Sequence, residues 1–458
     1  MLEYPRGDIM EDVLNVDLLY DLIERKDYQE IRERLTGMNE VNVAELLKDL
    51  PPHAMVLVFR LLEKDLAAEV FAYLPKKTQN DLINSITDKE VKDIIEELFF
   101  DDIVDLVDEM PANFVNRIIK YTNKEERSLI NHFLNYPDDS AGSLMTIEFV
   151  HLKKEYRVKD ALDHIREIGM EKETVYTCYV TDAYRRLEGI VSLRKLVISD
   201  PTDTIDDIME RDIVYASSHD DREEVSLLFQ KYGFLAIPVV DKEKRLIGII
   251  TVDDMLEVIE QEATEDFHIM AAMSPEETPY LETSVLRLAM NRLPWLLILM
   301  ISATFTGSIM MKYENMLQTV AVLSAFIPML MDTGGNTGSQ ASTLVIRGLA
   351  VGEIEPKDFL KITFKELRVA LIVGIALATV NFLRLVFFSK VGVDVALTVC
   401  LTLVVCVSIA KLVGGNLPLL AKRLGFDPAI MASPFITTIV DAITLMVYFN
   451  IASKILFV

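Results

Sequence analysis

Apolar and polar positions alternate in three different ways along the chain. From residue 1 to about 136 the spacing is that of short amphipathic helices broken by polar or proline positions, as in LLKDLPPHAMVLVFRLLEKDLAAEVFAYLP and LVDEMPANFVNRIIKYTNKEERSLINHFL. Leu-Pro and Met-Pro recur ahead of helical runs, which predicts a helical, weakly repeating domain. After YPDDSAGSLM, β-branched runs such as TVYTCYVTD and FLAIPVVD alternate with amphipathic helices. This unit occurs twice with a period of about 60 residues, so that Met145 corresponds to Met209 and Gly189 to Gly248. EDFHIMAAMSPEETPYLETSVLRLAM then predicts a linker helix. Five apolar segments follow, residues 294–311, 318–343, 368–389, 394–417 and 430–452, each long enough to span a hydrocarbon core of ~30 Å.

Charge is distributed by region. The 458 residues carry a net charge of -25 although 51% are apolar. From Thr283 to Val458 there are 14 Lys and Arg against 9 Asp and Glu, which leaves 32 against 62 for the first 282 residues. That first part therefore carries -30 and the apolar part +5. So acidic a surface repels nucleic acid and attracts multivalent cations, which argues against a nucleic-acid partner. Cys178, Cys400 and Cys406 lack metal-site or disulfide spacing. The N-terminus MLEYPRGDIMEDV has no apolar leader, so the first 282 residues are expected in the cytoplasm. Arg287, Arg292, Arg347, Lys357, Lys361, Lys365, Arg368, Lys422 and Arg423 flank the spans on one side and only Lys312, Lys390 and Lys454 on the other. This bias places the first side in the cytoplasm and the C-terminus outside. No P-loop, nucleophile elbow or His-containing metal motif is present, so an enzyme is not expected.

Within the apolar part, the second and fourth segments end in matching triplets, Gly334-Gly335-Asn336 and Gly414-Gly415-Asn416. Adjacent glycines weaken a helix and can free carbonyls toward a water-filled cavity, so the triplets are expected to line an ion path. Asp441 lies close to the midplane of the fifth segment with no base within a helical turn, and by depth neither Lys411 nor Arg384 is well placed to pair with it. A carboxylate there marks a cation path. Carboxylates, amides, hydroxyls and backbone oxygens are offered, but no histidine, which favours a hard ion. Mg2+, which keeps much of its water, suits a single Asp per subunit in a wide polar funnel; Mn2+ and Co2+ stay open.

A second group of acids lies before the spans. Asp253, Asp254, Glu257, Glu260, Glu262, Glu265 and Asp266 crowd into fourteen residues without an interleaved Lys or Arg. Such like-charge crowding on a helix points to divalent-cation sensing. Asp101, Asp102 and Asp105 form a similar group, and Glu69 is a further candidate. Asp427 before Pro428 reads either as a helix N-cap or as an ion ligand.

The β-α-β-β-α plan with a glycine before its last strand resembles a tandem CBS pair over residues 137–260. Thr251 and Asp254 match that family's T-x-x-D nucleotide contact, whereas Ser192 in the first copy is followed by Leu193, Arg194 and Lys195. IPMLMDTGGNTGSQ, GGNLP, GFDPAIMASPFITTIVD, the CBS pair and the acidic helical N-terminal part together resemble the MgtE family of bacterial magnesium channels or transporters over essentially the whole chain. The implied fold is a multidomain membrane protein: an acidic α-helical domain (1–136), an α/β tandem CBS domain (137–262), a linker or plug helix (263–282) and a five-helix transmembrane pore domain (283–458).

The resemblance implies a homodimer in the plasma membrane that imports Mg2+ and closes when cytosolic Mg2+ is plentiful. Its pore carboxylate falls on Asp441, with Asn336 and the backbone near Thr437 lining the path. Gly335 and Asp332 shape its inner half, and Ser433 and Ser339 stand where some relatives have Asn. The regulatory acids, Glu257 among them, would pair across interfaces: Glu69, Asp101, Asp102 and Asp105 with Asp254, and Asp427 with Glu262, Glu265 or Asp266. ATP at the CBS pair through Thr251 and Asp254 is a further expectation. Competing readings are a membrane-anchored nucleotide sensor, an exporter, and a carrier of Mn2+ or Co2+.

Overall fold

The computed structural model describes residues 14–456 apart from 123, 277 and 282, so MLEYPRGDIMEDV lies outside the described residues. The chain forms two compact units, Met1–Leu256 and Glu257–Val458. Among the described residues the first holds ten helices, α1–α10, running from Val16 to Phe133, ahead of its sheets. Each is short because punctuation is frequent. Asn15, Asp27 and Asn39 accept hydrogen bonds from first-turn amides, and Thr87 and Glu90 make a capping box. The recurrent Leu-Pro and Met-Pro pairs have a structural cause: Pro51, Pro75 and Pro111 are the N-cap residues of α4 (Pro52–Phe59), α6 (Lys76–Ser85) and α9 (Ala112–Tyr121). Proline ends the preceding helix by pushing the residue before it out of the helical region.

The repeat that follows gives two three-stranded sheets of identical order. In the first, β1 (Phe149–Leu152) runs parallel to β2 (Thr174–Thr181), which pairs antiparallel with β3 (Leu187–Ser192); α11 (Val158–Ile168) and α12 (Leu193–Ile198) complete the copy. The second, after α13 (Ile205–Ile208), repeats this with β4 (Ala216–Ser217), α14 (Arg222–Tyr232), β5 (Ala236–Val240) and β6 (Leu246–Thr251). The copies interlock. Thr146 of the first bridges to Ile249 of the second, and Glu210 of the second to Ile190 of the first. The repeated glycine lies inside each last strand rather than before it, and the interlock explains it: a Cβ on Gly248 would sit 2.7 Å from the Met145 sulfur, and one on Gly189 2.5 Å from the Met209 sulfur.

α15 (Val252–Met270) leaves β6 and crosses the boundary between the two units without a break. The expected linker helix thus starts at Val252 and ends at Met270, and most of the stretch up to residue 282 is not helical. Ala272 terminates it in the left-handed region at φ 52°, where the Met273 amide donates to the His268 carbonyl. Beyond lie α16 (Val285–Lys312), α17 (Glu314–Thr319), α18 (Ile327–Ala350), α19 (Phe359–Leu383), α20 (Val393–Arg423) and α21 (Ser433–Leu456).

Among the described residues, four helical stretches are long and apolar enough to cross a membrane: Val285–Lys312, Pro356–Phe388, Val393–Arg423 and Ser433–Leu456. The segment 318–343 is not a fifth of that kind. It is divided among α17, a 3-10 turn at Ala321–Phe326 and α18, whose Asp332, Asn336 and Gln340 dilute its hydropathy. α18 nevertheless packs against α20 and α21, and α20 is the most enclosed, with Val399, Leu403 and Val407 buried.

Candidate functional site

The paired glycines do not open their helices. α18 runs unbroken through Gly334 and Gly335, and α20 through Gly414 and Gly415. Their purpose is close approach. A Cβ on Gly335 would lie 2.8 Å from the Thr437 methyl, one on Gly338 2.7 Å from Ile436 Cγ2, and one on Gly414 would run into the Gly338 carbonyl oxygen. The expectation of freed carbonyls therefore gives way to tight packing of α18 against α20 and α21, and Gly335 is buried in that packing.

Close packing arranges a polar ladder. On α18, Asp332, Asn336 and Gln340 recur every fourth residue and are all exposed, so they share one helical face. On α21, Ser433, Thr437 and Asp441 recur at the same interval, Ser433 exposed and the other two half-buried. The glycine contacts set the register: Gly335 meets Thr437, and Gly334 meets Val440 and Thr444. Ser339 Oγ lies 2.9 Å from Ser433 Oγ, and Asp441 is within electrostatic reach of Asp332. From Ser433 toward Asp441 the ladder thus reads serine hydroxyls, Thr437 against Gly335 with Asn336 next along α18, and two carboxylates. Asp441 lies ~12 Å along α21 from Ser433 at ~1.5 Å per residue.

Neither base weighed as a partner reaches Asp441. Lys411 Nζ lies 3.4 Å from Glu366 Oε2, and the two side chains are only 7% and 13% exposed. Arg384 donates to Asn381 Oδ1 at 2.9 Å. Asn416, of the second triplet, accepts from Thr363 Oγ1 at 2.7 Å, tying α20 to α19 rather than joining the ladder.

In the first unit the fold gathers acids from four separate places. Asp101 and Asp102 stand in the first turn of α8 (Phe100–Glu109), Asp253 and Asp254 in the first turn of α15, and Glu148 and Glu173 just before β1 and β2. Glu148 accepts from the Phe100 amide at 3.4 Å and from Thr146 Oγ1 at 2.6 Å, capping a helix whose own N-cap is Phe99. Asp254 accepts from Thr251 Oγ1 at 2.6 Å.

Burial first, then the field of Asp254, pushes Asp102 up to about 7 and Glu173 to about 8; burial and Asp102 push Asp101 well above the usual carboxylate range. Asp101 Oδ1 and Glu173 Oε2 are buried without a hydrogen-bond partner. Orphaned, mutually repelling oxygens fit a hard divalent cation. Sequence reasoning missed Glu148 and Glu173.

The other predicted acids are placed differently. Glu69, raised by burial and then by Glu40 and Asp65, precedes by one turn Tyr73, which senses Glu40, Asp253, Asp102 and Glu173. Asp105 is exposed on α8. Asp427 is an N-cap, accepting from the Ala429 amide at 2.7 Å with Pro428 in the first helical position. Glu257, Glu262, Glu265 and Asp266 line α15. Among the described residues no group of three or more His, Cys, Asp or Glu side chains is disposed to hold a metal ion as it stands.

Apolar helices bearing a ladder of oxygen ligands, fused to a helical domain and a CBS pair that gather buried acids, define a membrane transporter of cations with a regulatory unit. The chain belongs to the MgtE family of divalent cation transporters: that family's divalent cation transporter domain matches residues 327–451, its intracellular N domain residues 38–139, and a CBS domain residues 205–261. It is 35% identical over 452 residues to the magnesium transporter MgtE of Thermus thermophilus, covering 98% of this chain and 99% of that one. To the magnesium transporter MgtE of Bacillus subtilis it is 30% identical over 428 residues, 93% and 94% of the two chains. The crystal structure of the cytosolic domain of the Mg2+ channel MgtE in complex with ATP is 34% identical, covers 53% of this chain and 99% of its own, and has a TM-score of 0.50.

Proposed function

We propose that the chain imports Mg2+ across the plasma membrane as a homodimer, with its first unit in the cytoplasm and its C-terminus outside. The observation that carries this reading is the α18–α21 ladder: oxygen ligands at matched four-residue intervals, ending at midspan carboxylates, on a face left partly open in a single copy. Two such faces, one from each copy, would enclose a path whose centre carries a pair of Asp441 carboxylates. Mg2+ keeps much of its hydration shell, so amide and hydroxyl groups at Asn336, Thr437 and Ser433 would handle its waters while Asp441 neutralises its charge.

Closure by cytosolic Mg2+ follows from linkage. Without a cation, Asp101, Asp102, Glu148, Glu173, Asp253 and Asp254 repel one another and loosen the packing of α8 against the CBS pair. A bound cation stabilises the compact form and restrains α15. Glu69, Asp105 and Glu257 extend this surface. Glu262, Glu265 and Asp266 with Asp427 form a second, weaker candidate. ATP at the CBS pair would engage Thr251 and Asp254, and Asp254 would then answer to both nucleotide and metal.

The test is Mg2+ flux into proteoliposomes for the wild type and Asp441→Asn, with Mg2+ varied separately on the face bearing the first unit. The expected result is flux in the wild type, none in the variant, and closure at millimolar Mg2+. Normal conduction by Asp441→Asn would overturn the ladder as the path and favour a membrane-anchored sensor. Faster flux of Mn2+ or Co2+ in competition would reassign the cargo.

A further inference from the structure

The turn between α15 and α16 is built around one carboxylate. The Glu276 side chain is only 7% exposed, and its Oε2 lies 2.7 Å from Arg287 Nε and accepts from Asn291 Nδ2 at 2.8 Å. Both partners lie on α16, four residues apart and so on one face. Its other oxygen accepts from the Thr278 amide at 3.2 Å. The Glu276 amide donates to His268 Nδ1 at 3.3 Å, reaching back to the last turn of α15, and the Ser274 amide donates to the Asn291 carbonyl at 2.9 Å. The end of α15 is thereby tied to the start of α16 through a charge-assisted cluster.

The same end of α15 touches the base of the ladder helices. Ile269 and Met270 pack against Ile346 on α18 and against Ala429 and Ala432, immediately before α21. Two anchorages therefore meet within a few residues: a polar one to α16 and an apolar one beneath α18 and α21. Apolar contact alone is non-directional and lets the helix end slide. The carboxylate pins the turn to α16, and the Glu276 amide carries that hold to His268, which fixes which turn of α15 faces Ile346.

We propose that Glu276 is a positioning residue for gating: it holds the tip of α15 in register against the inner end of α18, so that restraint of α15 reaches the ladder. The inference rests on the reading that this chain closes in response to Mg2+. Removing the carboxylate loosens the tip, weakens the closed arrangement and leaves the ladder itself unaltered. Closure then requires more Mg2+.

The experiment measures Mg2+ flux in proteoliposomes holding the full chain, against Mg2+ on the face bearing the first unit, for the wild type, Glu276→Ala and Arg287→Ala. For Glu276→Ala the half-closing Mg2+ concentration should rise about fivefold or more while flux at low Mg2+ stays within about twofold of wild type. Arg287→Ala, whose parent side chain is 63% exposed, should shift it less and in the same direction. If Glu276→Ala does not reach the membrane, Arg287→Ala carries the test alone. An unshifted half-closing concentration, or lower flux without a shift, overturns the proposal. A wild type that conducts regardless of Mg2+ refutes the gating reading instead.

Discussion

In the membrane unit, Glu366 faces Lys411 and Glu276 faces Arg287, whereas in the first unit Asp101 and Glu173 are buried beside further carboxylates, each with one oxygen unpartnered. The contrast separates two uses of a buried charge. A paired carboxylate is a strut, because removing either member strands the other. A crowd of carboxylates is unstable by itself and becomes stable only when something positive arrives, so its stability reports the concentration of that cation. The ladder is a third case: Asp332 is exposed and Asp441 half-buried, and among the described residues neither faces a base.

Breaking a strut should have the largest effect. Glu366→Gln or Lys411→Met alone should cost about 3–5 kcal/mol of stability, and the double replacement should recover most of it. Thermal unfolding in detergent measures this, and equal stability of all three variants would dissolve the distinction between strut and crowd. The crowd should show itself through pH. Asp102 and Glu173 take up protons near 7 and 8 in the folded chain but near 4 when unfolded. The folded form therefore binds more protons in between, and the stability it gains is complete below about pH 4 and lost as the pH rises through 7 to 8. Protection of the α8 amides, corrected for the intrinsic rise of exchange with pH, should fall from pH 6 to pH 8 without Mg2+ and hardly change with Mg2+ in excess. Asp102→Asn combined with Glu173→Gln should weaken both responses, and an unchanged slope in that variant would place the sensor elsewhere.

Two smaller effects sharpen the comparison. Gly414→Ala pushes a methyl into the Gly338 carbonyl, an overpacking expected to cost about 1–3 kcal/mol. A melting temperature equal to wild type would show that α18 and α20 can part. In the first unit the repeat places Arg185 and Lys244 at equivalent turns with φ 64° and 61°. Lys244→Gly should stabilise that unit by up to ~1 kcal/mol by relieving left-handed backbone strain, read as a shift in its unfolding midpoint.

The readable parts of the sequence were those carried by period. Short helices and the doubled β-α unit follow from spacing along one element. What escaped depends on which elements meet. Glu148 and Glu173 lie in short stretches outside any periodic run, and become neighbours because β1 and β2 pair in parallel, with the Glu173 amide donating to the Glu148 carbonyl at 2.9 Å. Thr146 two residues before Glu148 was the one local hint. Depth along the spans already sets Lys411 apart from Asp441, but that its partner is Glu366 on α19 is visible only in the fold. Adjacent glycines suggest a weak point in a helix, since their local preference is visible in the sequence and the backbone they must approach is not.

The exchange of methionines between the two CBS copies has a consequence for synthesis. Gly248 is covered by Met145, and Gly189 by Met209, so each half is finished by a residue of the other. A nascent chain that has emerged only through Ser192 holds a sheet whose last strand is still uncovered, and it must wait for the next several dozen residues before that sheet can close. Domains usually fold in order as they leave the ribosome; this pair is made to mature all at once, and a chain cut between its halves should yield two pieces that need each other rather than two small domains.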